Sequence, residues 1–217
     1  MIVSHRHRFI FFAVPRTGTH AVREALRRCL GDEDWQQQSL TEHVRLPIPA
    51  LARVGHGHLT LRQIIAHLPQ AMCRDYFKFA FVRNPYDRFV SVCAMLNRRN
   101  PDYRGRETGF MKRAIQAPRF QARALVRPQR DMLVDGGGEL GMDFIGRFED
   151  LQRSFGEACR RIGIPERDLA RSNATDHRDY TTYYDDELLG LVNDFYRLDF
   201  DSLGYEMPVT ARTMSCA

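Results

Sequence analysis

The sequence predicts an α/β fold, with three layers (α/β/α) and a central parallel sheet. Three observations carry this. Two apolar, aromatic-rich runs of strand length, Phe9–Val14 and Tyr76–Val82, are each followed by a tight turn and then a helical pattern. A third strand–helix pair follows at Asp143–Phe148 and Leu151–Ile162. Continuous apolar runs of this kind read as strands buried on both faces, and strands alternating with helices build parallel sheets.

The elements follow in order. After FIFFAV, the turn Pro15-Arg16-Thr17-Gly18 breaks the first strand. From Thr19 the apolar residues Val22, Ala25, Leu26, Cys29 and Leu30 fall at helical spacing, up to a stop at Gly31. Asp32–Val54 is polar and irregular, and Thr60–Leu68 reads as a short helix closed by Pro69. After the second strand, Pro85 is placed to open a helix over Tyr86–Asn97. Asn100–Gly141, with three prolines and Gly136–Gly138, predicts helical pieces and loops. Leu188–Tyr196 is the last helix, and disorder is expected only after Met207.

Length and composition bound the class. A chain of 217 residues with 43% hydrophobic and 27% charged residues predicts one domain, residues 1–217, with a sizeable core. No apolar run reaches the roughly 18 residues of a membrane helix, and Phe9–Val14 is too short for a signal-peptide core, so a cytoplasmic protein is expected. The five cysteines stand singly, without CxxC or metal-ligand spacing, and predict reduced, structural thiols and no metal. The net charge is +5, and all but Lys78 and Lys112 of the 32 cationic side chains are arginines. Between Arg98 and Arg130 ten basic residues face only Asp102 and Glu107, a patch that suits an anionic partner.

Two turns carry candidate chemistry. In Pro15-Arg16-Thr17-Gly18-Thr19-His20 a glycine turn between a buried strand and a helix aims backbone N–H groups at one point, where an anion binds. Arg16 and the hydroxyls of Thr17 and Thr19 can complete that cradle. The second glycine and GK[ST] of a Walker A loop are missing. The competing reading is an ordinary strand–helix connection capped by Thr17 or Thr19. The second turn, Arg83-Asn84-Pro85-Tyr86-Asp87-Arg88-Phe89-Val90-Ser91, again follows a strand and opens a helix. Arg83 falls at the strand's carboxyl end, where open α/β sheets bind ligands, with Ser91 about two helical turns further on. Asp87 and Arg88 also read as solvated or salt-bridged helix residues.

Together these turns resemble the nucleotide signature of the PAPS-dependent sulfotransferases, PAPS being 3′-phosphoadenosine 5′-phosphosulfate. PRTGTH is similar to the family's loop for the 5′-phosphosulfate, and FVRNPYDRFVS to its 3′-phosphate motif. GHLTLRQ, RPQRDML, DFIGRFEDL and YYDDELLGLVNDFYRLDFDSLGYE extend the likeness to the carbohydrate-type, family 2 members over most of the chain. The resemblance implies a P-loop-like nucleotide-binding fold, PAPS as donor and PAP as product. It also implies an acceptor hydroxyl on a saccharide. On it Arg16, Thr17, Gly18, Thr19 and His20 hold the 5′ end, and Arg83 and Ser91 the 3′-phosphate. Two departures stand out: Arg16 replaces the family's lysine, and His20 a following Thr or Ser. His20 either donates to the phosphate or faces solvent.

Sulfuryl transfer needs in-line positioning, charge stabilisation on the leaving side and a base at the attacking hydroxyl. Arg16 is the expected stabiliser. His58, in Gly55-His56-Gly57-His58-Leu59, is the expected base, in a segment similar to the one that supplies a catalytic histidine in related glycan sulfotransferases. His56 is the other candidate, and a structural role for both, with His58 capping a helix, is the competing reading. Arg147 and Glu149 read as an internal pair, and Gln129 as structural. The basic patch is either the acceptor wall or a solvated loop. A short chain without an anchor points to a bacterial source. The alternative function is a non-catalytic, Arg-rich binder of polyanions. Nucleic acid is disfavoured because the aromatics lie in strand-like runs and not among the arginines, and a kinase is disfavoured by the missing GK[ST]. Nothing in the sequence sets an oligomeric state.

Overall fold

The structure, a computed structural model, describes residues 1–37, 46–170 and 178–214. Cys216, the end of the tail after Met207 and the middle of the Asp32–Val54 stretch lie outside the described residues. The strands are β1 (Ile2–Ser4), β2 (Phe9–Phe12), β3 (Trp35–Gln36), β4 (Phe77–Val82) and β5 (Phe144–Arg147). The helices are α1 (Thr19–Arg27), α2 (Pro49–Ala52), α3 (Leu61–Ile65), α4 (Gln70–Asp75), α5 (Pro85–Leu96), α6 (Glu107–Gln116), α7 (Pro118–Gln121), α8 (Gln129–Leu133), α9 (Leu151–Ile162) and α10 (Asp186–Leu203). Among the described residues no helix is long and apolar enough to cross a membrane. The chain divides into two compact units, Met1–Val82 with Asp131–Ser172, and Arg83–Arg130 with Asn173–Ala217.

The first unit holds the sheet, in the order β3-β1-β2-β4-β5. β2, β4 and β5 pair in parallel, as their alternation with helices dictates. The sheet is nevertheless mixed and not wholly parallel, because β1 pairs antiparallel with both β2 and β3. The reason is local. Only four residues separate β1 from β2, too few for a crossover, so the chain must double back. Arg8, at φ 51°, makes part of that turn. Asp34 ties it down, accepting from Ser4 Oγ (2.9 Å), His5 N (2.6 Å), Arg6 N (3.3 Å) and Gly31 N (2.9 Å).

Phe9, Phe11, Phe79 and Phe81 are fully buried, with Phe11 and Phe79 ring centroids 5.2 Å apart. They pack with Val22 and Leu26 of α1 and Phe155, Ala158 and Cys159 of α9, so one face of the sheet is closed by two helices. Ile10, Phe12, Ala80 and Val82, alternating with these, are buried too, as a central strand requires. Each fully buried side chain of this size contributes about 1.5–3 kcal/mol of apolar transfer energy.

The second unit is helical. Tyr86, Phe89 and Val90 of α5, Met111 and Ile115 of α6, and Leu188, Leu189 and Val192 of α10 form its core. Tyr196 O–H donates to Val126 O (2.7 Å) and Tyr184 O–H to Tyr86 O (3.0 Å). α10 continues past the expected end at Tyr196 to Leu203. Tyr196 itself leaves helical geometry (φ −106°, ψ 17°), a break midway along one element.

Candidate functional site

The first candidate loop leaves β2 as the strand ends. Arg16 and Gly18 both take left-handed backbone, at φ 66° and 71°, and Gly18 is the N-cap of α1. Left-handed residues in a turn swing successive N–H groups toward one concave side, the geometry of an anion nest. No side chain caps α1, so its leading N–H groups are not claimed by a threonine. The capping alternative therefore does not hold. The Thr17 hydroxyl instead donates back to Val14 O (2.9 Å) and is fully buried, which makes Thr17 a brace for the turn. Thr19 and Arg16 are partly exposed, and His20 faces solvent. Gly18 is required twice over. Its φ disfavours any side chain, and a Cβ there would collide with Leu151 Cδ2 and lie 3.5 Å from the Phe148 ring.

His58 belongs to the same unit. Its Nδ1 lies 2.7 Å from Ala13 O, two residues before Pro15, so the imidazole is brought against the start of the first candidate loop. A carbonyl only accepts, so Nδ1 carries the proton and Nε2 keeps its lone pair. Burial is the main influence that pushes the pKa of this imidazole down, to about 3. The Ala13 bond opposes that shift, while Arg23, the Met1 amine and His56 reinforce it. His58 is thus held neutral around neutral pH. It does not cap α3: Thr60 does, in a reciprocal capping box with Gln63. His56 lies alongside, with ring centroids 6.0 Å apart, and its Nδ1 accepts the His58 backbone N–H (3.3 Å).

The segment is held by Arg23 of α1, which the sequence reading passed over. Arg23 is buried and donates from one terminal nitrogen to Gly57 O (3.1 Å), which also accepts from the Met1 amine (2.8 Å). Burial, aided by Arg27, lowers the Arg23 pKa to about 10. Gly57 is needed for close approach: a Cβ there would strike Gln37 O and lie 2.8 Å from the Arg23 guanidinium.

The second candidate turn opens α5. Arg83 is the next residue after β4 and is buried, with Nε donating to Asp87 Oδ2 at 2.7 Å. Asn84 caps the helix by accepting from Tyr86 N (3.0 Å), and Pro85 sits at its first position. Asp87 is thus salt-bridged. Arg88 is not a solvated residue: it is fully buried, donates to Leu125 O (3.1 Å) and Arg127 O (2.9 Å), and stacks over Tyr196 (5.8 Å). Ser91 is fully buried two turns into α5.

The Sulfotransferase family matches residues 1–206 of the 217. The chain belongs to the sulfotransferase family. No curated protein and no solved structure matches it. The sulfotransferase is accordingly a transferase of sulfuryl groups, which requires a sulfate donor and an acceptor hydroxyl. Its match runs through both candidate turns and the His58 segment.

Further groups surround Arg83. Gln129 is fully buried, and its side-chain amide takes both backbone groups of Arg83: Arg83 N donates to Oε1 (2.9 Å) and Nε2 donates to Arg83 O (2.8 Å). Asp199 of α10, also fully buried, accepts from Gln129 N (2.9 Å) and Arg130 N (2.8 Å). Burial pushes its carboxyl up, against the opposing pull of Arg88 and those N–H donors. Asp199 sits in the sequence as one acid among several in an amphipathic stretch, and nothing local marks it. Among the described residues no group of three or more His, Cys, Asp or Glu side chains converges. Cys29, Cys73, Cys93 and Cys159 are free thiols.

Proposed function

We propose that this sulfotransferase moves the sulfuryl group of PAPS to a hydroxyl of a saccharide, with His58 as base. The observation that carries the reading is the Nδ1 contact of His58 with Ala13 O, which leaves Nε2 unprotonated on a ring set against the start of the loop that resembles the family's phosphosulfate motif. In this reading the backbone of Arg16–His20 takes the 5′-phosphosulfate, and the Arg16 guanidinium stabilises charge on the bridging oxygen. Thr17 acts by bracing the turn and Gly18 by opening it; Thr19 and His20 supply leading N–H groups of α1. Arg83, steadied by Asp87, takes the 3′-phosphate with Ser91. We read both units as parts of one catalytic domain, since the family match runs through them.

The reaction is an in-line displacement at sulfur. The acceptor oxygen forms the new S–O bond as the bond to the bridging oxygen breaks, the electron pair leaves on the 5′-phosphate of PAP, and His58 Nε2 takes the hydroxyl proton. A free-enzyme pKa of about 3 makes His58 a weak base in the ground state. Two effects compensate. The hydroxyl becomes far more acidic as its oxygen bonds to sulfur. The anionic donor in the neighbouring loop also stabilises imidazolium. The exposed arginines between Arg98 and Arg123 supply the wall for an anionic saccharide.

The tests are kinetic and calorimetric. His58→Ala should keep PAP affinity and lose roughly 10²–10⁴-fold in turnover; unchanged turnover would place the base elsewhere. Arg83→Ala should abolish the preference for PAP over 5′-AMP. Salt-sensitive binding of any polyanion, with no response to PAP, would instead favour a non-catalytic binder.

A further inference from the structure

We propose that Gln129, locked in place by Asp199, is the positioning residue for Arg83. The inference rests on the reading of Arg83 as the 3′-phosphate ligand. It begins from an accounting of backbone groups. A buried N–H and C=O at a strand's end must find partners or cost about 1–3 kcal/mol each. Arg83 meets this demand in an unusual way, because one side chain, the Gln129 amide, supplies both the acceptor and the donor that a neighbouring strand's peptide would provide.

That amide is fixed in turn. Gln129 N and Arg130 N, the first two N–H groups of α8, donate to the two carboxylate oxygens of Asp199 at 2.9 and 2.8 Å, and Gln129 Nε2 approaches Asp199 Oδ2 at 3.4 Å. Asp199 is fully buried on α10, beyond the break at Tyr196, so the relay runs from the long helix through Gln129 to the Arg83 backbone. At its other end the Arg83 side chain is held at Nε by Asp87. With the backbone and Nε both anchored, the plane of the guanidinium is set before any ligand arrives. Pre-organisation of this kind lowers the ordering cost of a charge-assisted, bidentate phosphate contact.

The chemistry of Gln129 is specific. Glutamate keeps an acceptor for Arg83 N but sets a second oxygen against Arg83 O. Asparagine is one methylene too short to span both groups while its own N–H stays on Asp199. The structure therefore assigns discrimination for the 3′-phosphate to a residue that need not touch it.

The experiment is calorimetric titration of the full chain with PAP and with 5′-AMP, for wild type, Arg83→Ala, Gln129→Glu and Asp199→Asn. Urea midpoints verify that each variant is folded. PAP affinity should fall about tenfold in Gln129→Glu, the fold-change of one lost buried hydrogen bond, with AMP affinity nearly unchanged. A merely structural role would weaken both ligands together, since they share the adenosine and the 5′-phosphate. If Gln129→Glu does not fold, Asp199→Asn is read in its place, with the same selective loss expected. An unchanged PAP-to-AMP ratio in the folded variant, with the ratio lost in Arg83→Ala, overturns the positioning role alone. An unchanged ratio in Arg83→Ala overturns the 3′-phosphate reading, and the inference with it.

Discussion

Holding His58 neutral has a thermodynamic signature that can be read without substrate. In the unfolded chain an imidazole titrates near 6.5, whereas in the folded protein burial holds it to about 3. Below about pH 6.5 the unfolded state therefore binds a proton that the native state refuses. Acid pulls the equilibrium toward unfolding, and stability rises with pH across the window between those two values. The slope approaches 1.4 kcal/mol per pH unit, and integration from about pH 7 to about pH 5 gives at most about 2 kcal/mol. His58→Asn isolates this contribution: its amide can still donate to Ala13 O, but it does not titrate. Urea unfolding of both proteins at several pH values gives the comparison, because titrating groups not coupled to His58 cancel in the difference. Wild type should lose stability relative to His58→Asn as pH falls, by up to that amount. Parallel profiles would mean that His58 titrates as it does in solvent, and the neutral-base argument would collapse.

Three further outcomes are expected. Gly18→Ala should lower stability by at least about 1 kcal/mol, through its left-handed φ and the clash with Leu151, and weaken PAP binding in the same protein; an undiminished urea midpoint would contradict the packing. Asp34→Ala should cost about 2–4 kcal/mol, since it strands the four N–H and O–H groups that hold the carboxyl below its ordinary pKa against the opposing effect of burial. The wild-type advantage over that variant should fade in acid, as the carboxylate is protonated below its usual range near 3.8. Thr60→Ala should cost about 1 kcal/mol by removing the α3 cap, measured as a shift of the thermal midpoint.

Much of the fold was legible because its strands advertise themselves. FIFF and the last four residues of FKFAFV are buried on both faces, and both runs carry almost no polar residue, so their run length and aromatic content suffice. β1 was not legible. Three residues, Ile2–Ser4, followed by the basic stretch His5–Arg8, are too few to show a strand pattern, and only the pairing with β2 makes them a strand. β3 has two residues and no pattern of its own. The end of α10 was read at Tyr196, where the helical dihedrals do break, although the chain resumes as helix. For the site, the turns and the His58 segment were readable as motifs. Their bonding was not, because it is long-range. His58 meets a carbonyl 45 residues away, and Gln129 meets Arg83 at 46. Arg88 illustrates the limit, since a charged helix residue defaults to solvent until Leu125 O and Arg127 O are known to receive it.

The contact of Gly18 with Phe148 and Leu151 carries a mechanical consequence. Phe148 N–H is bonded to Val82 O at 2.8 Å, and Leu151 opens α9, so the exit of β5 leans directly on the candidate loop that leaves β2. The loop cannot loosen without lifting the first turn of α9. An anion that stiffens the loop must therefore slow amide hydrogen exchange at the start of α9 as well, more than 130 residues along the chain. Occupancy of the loop becomes audible in a helix remote from it in the sequence.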